Sequence, residues 1–174
     1  MATENPAPQF FQSKKRFWLY GLIGFVFGVL DWFYLNWFPE TVGNLFGESI
    51  IVVPIVILLN YGIWLVPIIP LVFLESKYSP NIRIPIITGA LTWCFAIIGY
   101  YFYYLILLSM GKLPHLQGLS IFGEKHESFW VEYWEMFCRI ILSQILDWIP
   151  IAIIGGIVIS AIVYWIVKNT KKNS

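Results

Sequence analysis

The sequence predicts an all-α integral membrane protein with four transmembrane helices and an amphipathic external or interfacial helix before the last span. Of its 174 residues, 59% are hydrophobic and only 12% are charged, whereas about a quarter of the residues in soluble proteins are charged. The apolar residues form long runs, and a helix of about 20 apolar residues crosses a bilayer. We therefore expect one membrane domain at 17–172 after a cytoplasmic polar tail at 1–16.

The first predicted span is 17–38, which follows a basic cluster at 14–16. One face carries glycines at helical spacing and leads to the single charged residue of the run, Asp31. Small residues let a second helix approach closely in a bilayer, so we expect this face to pack against another helix: Gly21, Gly24 and Gly28. A carboxylate inside a membrane is costly, and Asp31 is therefore the first candidate for function.

The second and third predicted spans are 49–74 and 84–108. The second contains Pro54, Pro67 and Pro70, and each proline removes a backbone donor and bends a helix. Two interpretations remain open for this span. It is either a kinked packing helix or a discontinuous helix that lines a polar cavity, as in transporters.

The last predicted span is 151–167, and it is preceded by the amphipathic helix at 129–148. Glu132, Glu135 and Arg139 lie within the amphipathic segment, so a full crossing would bury three charges. We expect this segment to lie on the outer surface, and the alternative is a fifth span. The last span has a small-residue face for helix packing, formed by Ala152, Gly156 and Ser160.

The basic residues predict the orientation of the four spans. With both termini in the cytoplasm, eight of the eleven Lys and Arg residues lie inside and three lie outside, in agreement with the positive-inside rule. The predicted location is the plasma or inner membrane of a cell.

Polar and aromatic side chains near the external ends of the spans predict a ligand site. The candidate residues are Asp31, Trp32, Tyr100, Tyr103, Gln144 and Asp147. A carboxylate surrounded by aromatic rings suits a cationic or aromatic small molecule. The alternative for Asp31 is a structural role, in which it accepts hydrogen bonds from backbone or reaches water.

The sequence argues against several other classes of protein. It contains no catalytic motif for an enzyme, no spacing of Cys94, Cys138 or the two histidines that predicts a metal site, and no basic stripe for nucleic acid. No cofactor is expected. The expected partners are the lipid bilayer and a second copy or another membrane subunit. The predicted function is a transport-related or ligand-binding membrane subunit, and the alternative is an accessory subunit that packs against a partner complex.

Overall fold

The computed structural model describes residues 7–46, 54–55, 58–59, 62–110 and 129–172. Its main elements are helices, and the described residues contain no strand: α1 (Ala7–Phe46), α2 (Leu65–Tyr78), α3 (Arg83–Ser109), α4 (Phe129–Met136) and α5 (Leu142–Lys172). A π-helical segment, Phe137–Ile141, joins α4 to α5. The predicted all-α class is therefore confirmed.

Three helical stretches among the described residues are long and apolar enough to cross a membrane: Lys15–Leu35, Arg83–Ser109 and Phe129–Thr170. The second of these agrees closely with the predicted span 84–108. Within the predicted span 49–74, residues 49–53, 56–57 and 60–61 lie outside the described residues. Its described part belongs mainly to α2, whose 14 residues extend about 21 Å at 1.5 Å per residue.

Helix α1 is longer than the predicted span at both ends. Residues 7–16 are helical although the sequence analysis assigned them to a polar tail, and Pro8 is compatible with a first helical turn because proline has no N–H to satisfy there. The helix also continues beyond Phe38 to Phe46, where we expected an external loop. In that part the Thr41 hydroxyl donates a hydrogen bond of 2.9 Å to the Trp37 carbonyl.

The amphipathic segment 129–148 and the span 151–167 form one continuous helical run, which corrects the expectation of two separate helices. Pro150 lies inside α5, because a single proline removes one backbone hydrogen bond without ending a helix that is supported by its neighbours. The departure from regular α-helix lies before Pro150, in the π-helical segment Phe137–Ile141. A π-helical turn is the usual form of a local insertion in a long helix.

Helix α3 lies at the centre of the fold and packs against α1, α2 and α5. It runs parallel to α1, because Gly24 lies against Thr92 and Gly28, further along α1, lies against Ala96. The core around α3 is rich in tyrosine. Its buried members include Ile97, Tyr100, Tyr101, Tyr104, Leu108, Met136, Ile141 and Ala152.

The link between α2 and α3, residues 79–82, is held by side chains of α5. The Lys168 ammonium donates a hydrogen bond of 2.9 Å to the Ser79 carbonyl, and the Tyr164 hydroxyl donates one of 2.8 Å to the Pro80 carbonyl. Within the link, the Asn81 side-chain oxygen accepts a hydrogen bond of 2.9 Å from the Arg83 amide. The last turns of α5 therefore lie at the same end of the bundle as this link.

Large apolar side chains cover much of the outside of the bundle. They are spread over α1, α2, α3 and α5 and include Trp18, Leu22, Val66, Phe102, Ile154 and Trp165. An apolar exterior of this extent exceeds the patches that soluble monomers expose. It is compatible with a protein surrounded by lipid.

Candidate functional site

The glycine face of α1 lies directly against α3. A Cβ atom added at Gly24 would overlap the Thr92 carbonyl oxygen, and one added at Gly28 would overlap the Ala96 carbonyl oxygen. On the other side of this contact, a Cβ at Gly99 would overlap the Phe25 carbonyl oxygen. Only glycine permits backbones to approach this closely.

This close contact fixes the position of Asp31, which lies almost one helical turn beyond Gly28. Asp31 is 1% exposed, and neither carboxylate oxygen has a hydrogen-bond partner within the described part of the chain. The structural role considered for Asp31, as an acceptor of backbone hydrogen bonds or a group in contact with water, is not seen there. A buried charge without a partner is strongly unfavourable.

Two tyrosines lie near Asp31, and further aromatic rings pack around one of them. Asp31 lies close enough to Tyr34 and Tyr100 for its charge to act on their hydroxyl groups. The Tyr100 ring lies 6.4 Å from that of Trp64, at the start of α2, and the Phe27 ring of α1 also lies 6.4 Å from Trp64. The carboxylate therefore occupies an aromatic environment.

The other predicted aromatic pair, Trp32 and Tyr103, forms the neighbouring α1–α3 contact. Their ring centroids are 5.3 Å apart in an edge-to-face arrangement, and Phe33 lies 5.2 Å from the same Tyr103 ring. Both Trp32 and Tyr103 are half-buried. These rings continue the aromatic environment of Asp31 toward the surface.

The structure does not bring Gln144 and Asp147 into this group. Both residues are exposed on α5, and Asp147 lies close enough to Tyr101 of α3 for its charge to act on the Tyr101 hydroxyl. Asp31, in contrast, is buried at the contact between α1 and α3. The two-aspartate arrangement could not be derived from sequence because helix arithmetic gives the height of a residue along the bundle and not its side.

The predicted packing face of α5 also lies against α3. A Cβ at Gly156 would lie 2.6 Å from the Ala90 Cα, and Ser160 lies beside Gly89. Ala152 is completely buried. All three residues of this face therefore belong to internal helix contacts.

A second polar group was missed in the sequence. Glu75 falls between the predicted spans 49–74 and 84–108, but it lies in the last turns of α2 and is 6% exposed. The Tyr20 hydroxyl donates a hydrogen bond to its carboxylate, and Arg16 lies 3.9 Å away. The only sequence signal was that Tyr20 and Arg16 lie four residues apart on α1, on the face that also carries the glycines.

An apolar groove of about 380 Å³ lies between α1 and α3 and is lined by Phe17, Trp18, Leu91 and Phe95. It is distant from Asp31, since the 14 residues from Phe17 to Asp31 span about 21 Å of helix. It is therefore not the predicted ligand pocket.

The described residues contain no cluster of three or more His, Cys, Asp or Glu side chains that could hold a metal ion. In the described ranges, fold and site together define an all-helical protein with three helices able to cross a membrane and a buried carboxylate that has no hydrogen-bond partner there. No family model, curated protein or solved structure matches the chain.

Proposed function

We propose that the chain is a multi-pass membrane protein that binds a small organic cation at Asp31 as part of transport. The observation that supports this proposal is the complete burial of the Asp31 carboxylate without a hydrogen-bond partner among the described residues. Each unpaired charge in an apolar interior costs several kcal/mol, about the stabilisation that a bound counter-ion restores. A cation of the ligand would supply the missing partner.

The aromatic surroundings support an organic cation over a hydrated metal ion. Tyr34 and Tyr100 lie near the carboxylate, and the Trp64 ring packs 6.4 Å from the Tyr100 ring. Aromatic faces attract quaternary and other alkylammonium groups. A divalent metal ion prefers several carboxylate, carbonyl or water oxygens. The expected ligand therefore combines a positive charge with apolar surface.

The proposed orientation places this site toward the outside of the cell membrane. Arg16, Lys77 and Arg83 lie in the parts of α1, α2 and α3 that meet at one end of the bundle, near the contact of Lys168 with the 79–82 link. By the positive-inside rule this end faces the cytoplasm, together with both termini. Asp31 lies 15 residues beyond Arg16, about 22 Å further along α1.

The alternative proposal is an accessory subunit that packs against a partner complex. Such a subunit would be expected to present its small-residue faces outward, toward the partner. Here Gly24 and Gly28 contact α3, and Gly156 contacts α3 from the other side. This internal use of the packing faces favours the ligand-binding proposal.

The proposed site is tested by replacing Asp31 with Asn in the full-length protein, purified in detergent. Choline is the probe, and 3,3-dimethylbutanol is its uncharged counterpart of nearly the same shape. We expect choline, but not the alcohol, to raise the melting temperature of the unmodified protein, because ligand binding stabilises the folded state. Asp31→Asn should abolish this shift.

The same variant separates a binding role from a structural one. Without ligand, Asp31→Asn should be about as stable as the unmodified protein, because the carboxyl group that it replaces has no hydrogen bond to lose among the described residues. Glu135→Gln, at an exposed carboxylate on α4, is the matched control and should retain the choline response. Marked destabilisation by Asp31→Asn, or an unchanged choline response, would contradict the proposal.

A further inference from the structure

Four buried hydroxyl groups lie in the half of the bundle between Asp31 and the end that carries Glu75. They belong to three helices: Ser76 of α2, Thr88 and Thr92 of α3, and Ser160 of α5. Each residue is 0% exposed, and none of the four hydroxyls has a hydrogen-bond partner within the described ranges.

These hydroxyls differ from other hydroxyls of the same protein. A Ser or Thr in a helix commonly donates to the carbonyl three or four residues earlier, as the Thr170 hydroxyl does to Ile166 at 2.9 Å and the Ser109 hydroxyl to Ile106 at 2.7 Å. Buried polar groups that protein atoms leave unpaired are commonly satisfied by internal water. The four hydroxyls therefore point to internal water beside α3.

The four hydroxyls lie along a path from the basic end of the bundle toward Asp31. Ser76 follows Glu75, whose partners Tyr20 and Arg16 lie at the basic end. On α3, Thr88 and Thr92 begin a row with a spacing of four residues that continues through Ala96 to Tyr100, and Tyr100 is the residue on which the charge of Asp31 acts. The row connects the basic end with the level of Asp31.

The last part of this row is apolar. From Thr92 to Tyr100 the helix rises about 12 Å, and Ala96 of α3 and Ile68 of α2 are 0% exposed. This apolar layer separates the hydroxyls from Asp31. Protons would cross it when water enters it during the transport cycle.

We infer that Ser76, Thr88, Thr92 and Ser160 line a water-filled half-channel that carries protons between the basic end of the bundle and Asp31. The inference rests on the proposed function, since it couples ligand binding to proton release. When the cation binds, the O–H bond of the protonated Asp31 carboxyl breaks and a new O–H bond forms to the nearest water. Each water passes one proton on, and bulk water at the basic end receives the last.

This exchange keeps the site neutral, because one cation enters as one proton leaves. The titratable groups that face Asp31 are Tyr34 of α1 and Tyr100 of α3. At the other end, Glu75 faces Tyr20 and Arg16 of α1, while Lys168 of α5 binds the nearby Ser79 carbonyl.

The presence of water is tested by the reaction of engineered cysteines with a small methanethiosulfonate reagent, in a background in which Cys94 and Cys138 are replaced by Ala. Ser160→Cys should react at least tenfold faster than Ala152→Cys. Both positions are 0% exposed and lie on the same helix two turns apart, but only position 160 would face water. Equal rates at the two positions would overturn the half-channel.

Proton movement is tested in vesicles that contain the full-length protein and a pH-sensitive dye. An inward choline gradient should release protons through the unmodified protein, and the Thr88→Val/Thr92→Val variant should lower the rate at least tenfold while retaining choline binding. Thr170→Val, at an exposed hydroxyl on α5, is the control and should leave the rate unchanged. An unchanged rate in the double variant would overturn the inference.

The two experiments distinguish failure of this inference from failure of the proposed function. Cysteine labelling needs no ligand, so it reports water between the helices even if choline does not bind at Asp31. A dry interior would show itself as slow labelling at position 160 together with a higher melting temperature of Thr88→Val/Thr92→Val, because valine removes hydroxyls that have no partner.

Discussion

Gly28 of α1 packs directly against the backbone of Ala96 in α3, with no space for a side chain between them. We expect Gly28→Ala to force the two helices apart and to lower the free energy of unfolding by about 1–3 kcal/mol, the usual cost of overpacking. Thermal or steric-trap unfolding in detergent would measure this. The same displacement should weaken choline binding, because Asp31 lies almost one turn further along α1.

Two matched controls exist for the Gly28 substitution. A Cβ at Gly21, on the same face of α1, would make ordinary contacts of 3.4 Å with Leu91 and Phe95, and one at Gly62 would meet nothing within 4 Å. Gly21→Ala and Gly62→Ala should therefore not destabilise the protein. Equal effects of all three substitutions would show that helix propensity, and not the close contact, determines the outcome.

The hydrogen bond from Tyr20 to Glu75 is expected to contribute measurably to stability. Tyr20→Phe removes the hydroxyl and leaves the buried Glu75 with Arg16 at 3.9 Å. Because the lost bond has a charged acceptor, the free energy of unfolding should fall by about 1–3 kcal/mol. Tyr78→Phe, the same change at an exposed position, should have little effect, and a similar loss there would refute the assignment.

The link between α2 and α3 should become more mobile when its contacts with α5 are removed. In Tyr164→Phe/Lys168→Met, the carbonyls of Pro80 and Ser79 lose their side-chain donors. We expect faster amide hydrogen exchange in residues 79–82, because local opening then breaks fewer interactions. Asn169→Ala, an exposed neighbour, is the control, and protection that stays unchanged in the double variant would contradict this role of α5.

The ion pair between Glu135 and Arg139 should contribute little. Its atoms are 3.1 Å apart, but the side chains are 55% and 78% exposed, respectively. Exposed pairs at this helical spacing contribute about 0.5 kcal/mol or less and are screened by salt. A double-mutant cycle with Glu135→Gln and Arg139→Gln should give a coupling energy in this range, which disappears at high salt. A coupling above about 1 kcal/mol would indicate a less polar environment than the exposure implies.

The sequence was sufficient to predict features that depend on local pattern. The bounds of α3 differ from the predicted 84–108 by one residue at each end, because an apolar run between a Ser-Pro-Asn turn and a polar segment has clear limits. The glycines of α1 and Asp31 share a face through helical spacing alone, and the structure places that face against α3.

Features that depend on the arrangement of helices could not be predicted. Glu75 has the composition of a loop residue, and its burial arises only because Tyr20 and Arg16 of α1 reach it. The closeness of Asp147 to Tyr101 of α3 is likewise a property of packing. Pro150 lies between the predicted segments 129–148 and 151–167, but α5 continues through it.

The parallel contact of α1 and α3 determines when Asp31 can be buried during synthesis. Helices α2 and α3 are joined by only four residues, 79–82, so they can pair as soon as both have emerged from the ribosome. Helix α1 is made first, but its glycine face has no partner until α3 is complete. In the proposed membrane, Asp31 of the first span therefore stays uncovered until α3 has been made and packs against α1.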